Sequence, residues 1–398
     1  MSKGNRPLEG IRVLDFTRVY AGPYCTMMLA DLGAEIIKIE KKVEGDDTRA
    51  FMPMKDGESG YFNYVNRNKK SIELDLKKAE SIEIVKDLAA KSDIVIENFT
   101  PGVTYRLGIA YEDIKAVNPQ IIYGAISGFG HTGVYKDRPA YDIICQAMGG
   151  FMSLTGEKDG KPYKLGPSIV DASAGIHMAY ALMAALYYRS KTGIGQFVDI
   201  AMMDTAFSTL ENFVVTKTLT GTSPTRDGNA NLGSAPFNSF KTKDGYVVIA
   251  VANDKLFEKF TKAIGREDLL AEPNYRTNYE RKINETELNK IIENWTAGYF
   301  TNEVCEILAL DKIPVGPILS IDDLIDNQHL KDREMLVEIT HPILGRVVYP
   351  GNPIKFSVTS DLRYDSAPML GEHSIQILKD ILGKSDEDIK KLQDIKII

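Results

Sequence analysis

The sequence predicts an α/β protein: a Rossmann-like large domain with a smaller second domain inserted into it. Three observations carry that expectation. Short apolar runs alternate with helical segments over residues 11–127, which is the pattern of repeated βα units. Most of these runs are apolar throughout, as strands of a parallel sheet covered by helices should be. A stretch rich in Gly, Ser, Thr, Asn and Pro, Thr220–Pro236, then interrupts the pattern as a linker or flexible loop. At 398 residues the chain is also too long for one simple core.

Taken in order, Ile11–Phe16 reads as a strand and Thr17–Pro23 as a loop, followed by a helix to Leu32 that Gly33 closes. Strands are expected at Ala34–Glu40, Ser71–Leu76, Asp93–Asn98 and Ile121–Ser127, with a helix over Lys77–Lys91. Thr100-Pro101 reads as an N-cap with proline at the first helical position. Ile176–Arg189 is a long, nearly all-apolar helix and should be buried. Gln196–Met202 is a strand, and a helix runs on to about Leu219. Gly245–Val251 begins a second unit, His341–Val358 is strand-rich, and Met369–Lys391 is helical. The expected boundaries are 1–220 for the first part of the large domain, 225–335 for the small domain, and 336–398 for a return to the large one.

Composition excludes several functions. The net charge is −7 with lysine and arginine dispersed, so nucleic acid is not the expected partner. Three cysteines (Cys25, Cys145, Cys305) form no CxxC pair, and five histidines form no HxxH or HExxH, so no metal site or disulfide framework is expected. The N-terminus lacks the apolar core of a signal peptide, and no apolar run reaches the roughly 18 residues of a membrane span. A cytoplasmic protein without a membrane partner is expected.

Gly128-Phe-Gly130-His-Thr-Gly133 matches GxGxxG, yet a polar segment and Pro139 follow where a pyrophosphate-binding helix should start. The glycines are better explained by a tight turn. Asp171-Ala-Ser173-Ala-Gly175 falls one glycine short of GxSxG, so Ser173 reads as a packing residue. Asp171 admits two readings. It is a favoured N-cap type just before a helix. It is also a carboxylate among small side chains, where an ordinary pKa of about 3.9 would leave it ionised and nucleophilic without a base. Arg138-Pro-Ala-Tyr141-Asp142 places a phenol beside a carboxylate. Arg18, Lys41, Lys42, Lys69, Lys70 and Arg106 fall near element ends, which line the ligand crevice of an open α/β sheet.

Several of these segments together resemble the class III CoA-transferases, which include formyl-CoA and carnitine CoA-transferases. The matching pieces are Phe16–Pro23, Gly33–Glu40, Asn68-Lys-Lys-Ser-Ile, Glu97-Asn98-Phe99, Gly128–Gly130, Asp171, Thr192–Gln196, Lys243–Tyr246 and Gly371-Glu-His373. The resemblance covers nearly the whole chain and implies an interlocked homodimer. It also implies that Asp171 is the central catalytic residue, with Tyr141 and Asp142 as further catalytic residues close to it near the thioester. Arg18, Val19, Ala21, Lys41, Leu74, Lys77, Asn98, Phe99 and Arg106 would line the CoA site. The implied reaction moves CoA from an acyl-CoA to a carboxylic acid through an aspartyl anhydride and an aspartyl-CoA thioester. CoA would enter as substrate, with no permanently bound cofactor.

Two departures bear on the reaction. Acyl-CoA racemases of the same superfamily, the alternative reading, carry a catalytic histidine where this chain has Tyr141. A phenol with a pKa of about 10 suits α-proton abstraction poorly. Tyr20 stands where formyl-CoA transferase has glutamine, and the loop Gly228–Pro236 lacks that enzyme's run of glycines. An acyl-CoA binding protein with Asp171 as a cap alone is a third possibility.

Overall fold

A computed structural model describes residues 6–359 and 362–398. Contacts divide these residues into two compact units. The larger comprises the chain up to Phe151, Lys164–Gly221 and Leu330–Ile398; the smaller comprises Met152–Tyr163 and Thr222–His329.

The larger unit is built on six strands: β1 (Arg12–Asp15), β2 (Glu35–Lys41), β3 (Lys70–Leu74), β4 (Ile94–Glu97), β5 (Ile122–Ser127) and β6 (Phe197–Ala201). All are parallel, in the order β3-β2-β1-β4-β5-β6. This is the doubly wound nucleotide-binding order, with a topological switch point between β1 and β4. Side-chain alternation sends Val13, Ile36, Ile94 and Ile122 to one face, where they pack with helices α1 (Ala21–Asp31) and α4 (Ile169–Thr192). Leu14, Ile37, Ile72 and Val95 face the other way, onto α2 (Ala79–Ala90) and the C-terminal residues Ile377, Leu378, Ile389 and Ile397. A short helix, α3 (Asp142–Met148), precedes α4.

The smaller unit has an antiparallel sheet of β7 (Phe237–Lys241), β8 (Tyr246–Ala250) and β9 (Val315–Pro317). Its core gathers Phe240, Val247, Ile249, Phe257, Phe260, Leu288 and Ile292. The fully buried Arg281 donates to the carbonyls of Ala235 and Tyr275 and pairs with Asp254.

Three local expectations change. Thr100-Pro101 does not start a helix: the cap of Val103–Leu107 is Gly102 at φ 89°, a left-handed position that suits glycine, so the chain turns once more first. The helix expected from Ile176 begins at Ile169, and it is buried on one side only. Val170, Ala174, Met178, Leu182 and Ala185 are buried, whereas Ile176, Tyr180 and Tyr187 are exposed. By length and composition this helix could cross a bilayer, contrary to the run-length expectation. Asp171, Ser173 and His177 break its apolar run, and it packs on α1 and β5.

Helices α1 and α4 meet closely at Gly175, where an added Cβ would lie 2.7 Å from the Ala21 carbonyl oxygen and 3.3 Å from the Cys25 nitrogen. Backbone cannot yield as a flexible side chain would. Gly175→Ala should therefore destabilise the fold by about 1–3 kcal/mol, read as a lowered thermal midpoint; an unchanged midpoint would show that the helices can part without cost.

Candidate active site

In an open parallel sheet, ligands bind outside the carboxyl ends of the strands at the switch point. A cavity of about 200 Å³ opens there, lined by Arg18, Val19, Tyr20 and Ala21 after β1, Asn98 and Phe99 after β4, Gly128 after β5, and Tyr141 and Asp171. A neighbouring cavity of about 260 Å³ is lined by Lys38, Lys41, Leu74 and Lys77 and shares Arg18 and Phe99. Eight of the nine positions expected to meet CoA thus line one cavity or the other. Arg106 lines neither; it ends the short helix Val103–Leu107.

Asp171 is the third residue of α4, not its N-cap. The cap position is Ser168, whose side chain makes no capping bond. The amides at this helix start are satisfied from outside it. Asp142 Oδ1 accepts from Val170 N at 2.8 Å and from Asp171 N at 3.2 Å, while Oδ2 accepts from Gln146 Nε2 at 2.6 Å. Gln146 is fully buried, and its Oε1 accepts from Leu165 N at 2.9 Å, which fixes the approach to α4. Asp142 is 7% exposed and serves the helix; it does not line the cavity. Tyr141, next to it, is 75% exposed and does.

This arrangement corrects one expectation about Asp171. Burial, with the Asp142 carboxylate beside it, pushes its pKa up to about 7. It is therefore not fully ionised at neutral pH. An aromatic group stands nearby, in which Tyr20 contacts Tyr24, Tyr61 and Tyr64 at ring distances of 5.3, 6.1 and 6.5 Å. Burial and the negative charge of Asp171 raise the Tyr61 phenol to about 12.

The family model for CoA-transferase family III matches residues 8–374. The chain belongs to that family. It is 38% identical to mouse succinyl-CoA:glutarate CoA-transferase, covering 97% of this chain and 89% of the relative. It is 39% identical to the succinyl-CoA:mesaconate CoA-transferase of Haloarcula hispanica, covering 93% and 95%. The crystal structure of a CAIB/BAIF family protein from Brucella suis superposes with a TM-score of 0.85 at 38% identity, covering 95% of this chain and all of the other. The protein is an enzyme that transfers CoA.

Within this CoA-transferase, not every basic residue near an element end faces the crevice. Lys69 is buried against Asp15 at 3.2 Å, Lys70 pairs with Glu35 at 2.7 Å, and Lys42 donates to the Ile398 carbonyl. They tie strands and terminus together. No pattern in the residues marks Lys38, a fully buried cation on an apolar strand, or Asp46. Both line the second cavity. Among the described residues no cluster of His, Cys, Asp or Glu is arranged to hold a metal ion.

The raised pKa carries a stability consequence. The folded state binds the Asp171 proton more tightly than the unfolded chain does. The stabilisation this provides is complete below the ordinary carboxylate range and is lost as pH rises through about 7. Asp171→Asn should therefore raise the thermal midpoint at about pH 8 and raise it much less at about pH 5. A midpoint lowered equally at both would mean that Asp171 holds the helix after all.

Proposed function

We propose that this CoA-transferase moves CoA between two carboxylic acids through covalent intermediates on Asp171. The observation that carries the reading is a carboxylate in the switch-point cavity, at a helix start, that is relieved of capping by Asp142.

Asp171 attacks the thioester carbonyl of the donor, forming a mixed anhydride and expelling CoA thiolate. The thiolate attacks the aspartyl carbonyl, releasing the donor acid and leaving an aspartyl-CoA thioester. The acceptor carboxylate attacks that thioester, giving a second anhydride and CoA thiolate again. The thiolate takes the acceptor acyl group, and Asp171 returns as a carboxylate. Atoms balance without water or any further reactant. A difficult exchange becomes a series of acyl transfers.

Each transfer passes through an oxyanion that needs N–H donors. Ala21 and Gly22 open α1, so their amides have no intrahelical acceptor, and Ala21 lines the cavity beside Asp171. CoA extends from this cavity into the second, where Lys41 and Lys77 meet its phosphates. The named activities of the relatives support a short dicarboxylic acid as one partner, and the exposed Arg138 on the cavity wall suits its free carboxylate. The exposed apolar side of α4, with Ile176, Tyr180 and Tyr187, supports a homodimer, which in the interlocked arrangement would cover it.

Only ionised Asp171 attacks, so kcat/KM for the acyl-CoA should rise with pH through a limb near 7. Asp142→Asn keeps an acceptor for the helix amides but removes the neighbouring charge; the limb should move to lower pH. Asp171→Asn should abolish transfer and still bind CoA. Transfer persisting in Asp171→Asn would refute the reading, and α-proton exchange without transfer would replace it with a racemase.

A further inference from the structure

Val19 lies in the loop that joins β1 to α1 and has φ 67°. That is the left-handed region, where a β-branched side chain is strained. Such strain persists only where surrounding bonds impose it. Here every residue of the approach is tied. Thr17 donates its amide and hydroxyl to Asp15 Oδ1 at 2.8 and 2.5 Å, and its carbonyl accepts from Lys38 Nζ at 2.6 Å. Arg18 N donates to Asn98 Oδ1 at 2.9 Å, and Asn98 Nδ2 returns a bond to the Arg18 carbonyl at 2.7 Å. Val19 N donates to Asp46 Oδ1 at 3.2 Å.

Asp46 is itself fixed. The same oxygen accepts from Thr48 N and Oγ1, capping the short 3-10 turn Asp47–Ala50. Its other oxygen lies 2.8 Å from Lys38 Nζ, and both side chains are 1% exposed. Lys38 thus joins Asp46, which accepts from Val19 N, to the Thr17 carbonyl two residues before the strained residue. Two residues beyond Val19 the helix starts with Ala21 and Gly22, whose amides have no intrahelical acceptor. A rotation of Val19 into an ordinary conformation would reorient those amides relative to the cavity that Ala21 and Asp171 both line.

We propose that Asp46, braced by Lys38, is a positioning residue. It holds Val19 in its left-handed conformation and so aims the first amides of α1 at the oxyanion that forms over Asp171. The inference rests on the covalent reading above. It assigns a kinetic role to a buried ion pair that touches no reacting atom.

The test compares full-length Asp46→Ala with the double variant Asp46→Ala/Val19→Gly. Asp46→Ala should lower kcat roughly a hundredfold, as loss of an oxyanion donor does, with KM for the acyl-CoA changed less than about threefold. Glycine has no preference against positive φ, so the double variant should recover at least about tenfold of the lost kcat although its thermal midpoint is no higher. A merely structural role would give no such recovery, because glycine at 19 adds only flexibility. If Asp46→Ala does not fold, Asp46→Ser keeps a cap for the 3-10 turn but is too short to reach Val19, and the same two criteria apply to it. Unchanged kcat, or a loss that Val19→Gly leaves untouched, overturns the proposal. Hydroxylamine-dependent inactivation in the presence of acyl-CoA separates the two layers. Its absence in the unmutated enzyme removes the covalent reading and this inference together. Its presence there, at an equal rate in Asp46→Ala, removes this inference alone.

Discussion

The start of α4 is satisfied by a carboxylate from another helix, and the site depends on that. A helix leaves its first amides without intrahelical partners, and an aspartate placed there normally supplies them itself. In this protein Asp142 reaches across to Val170 N and Asp171 N, so the Asp171 side chain is left to the cavity. The same contact brings a second negative charge close. Together with burial it raises Asp171 toward neutrality. Asp142 thus frees the Asp171 carboxylate and also raises its pKa, and the two effects have one geometric cause.

The sheet order decides where such a carboxylate can matter. The crevice between the ends of β1 and β4 receives loops from both halves of the sheet, and α1 begins at its edge. Beneath the β1 loop lies a set of buried charges in which Asp15, Lys38, Asp46 and Lys69 pair with one another. Burial opposes ionisation of Asp15, but Lys69 and Lys38 hold its carboxyl below the usual range; burial draws Lys69 down to about 8. A single buried charge would be expensive, whereas a mutually paired group fixes one geometry. The strained backbone at Val19 sits on that group.

Much of this was legible in the residues. Most of the six strands of the parallel sheet follow from apolar runs whose two faces are both covered, and the structure finds all six within a residue or two of their expected ends. Asp171 stood out as a carboxylate between an apolar run and a cluster of small side chains. Tyr141 and Asp142 were placed near it by the family resemblance, but the role of Asp142 was not legible: it is 29 positions away, and nothing local marks it as the cap for another helix. Lys38 lies within an apolar strand, where a lysine would ordinarily point to solvent, and only the three-dimensional pairing with Asp46 explains its burial. Lys69, Lys70 and Lys42 show the converse, since a basic residue near an element end need not face the crevice. Periodicity reports which face is covered; it does not report which polar groups meet across the chain.

The central claim is that an Asp171 oxygen passes through the reacting anhydride. Turnover with an acceptor acid labelled with heavy oxygen on its carboxylate tests this directly, followed by mass spectrometry of the peptide that contains Asp171. The covalent course deposits a label atom from the acceptor into the Asp171 carboxylate as each acyl-CoA product leaves. Label in that peptide after transfer is the predicted result. Transfer that labels the released donor acid while leaving Asp171 unlabelled would mean that the two substrates react with each other directly, and it would contradict the account.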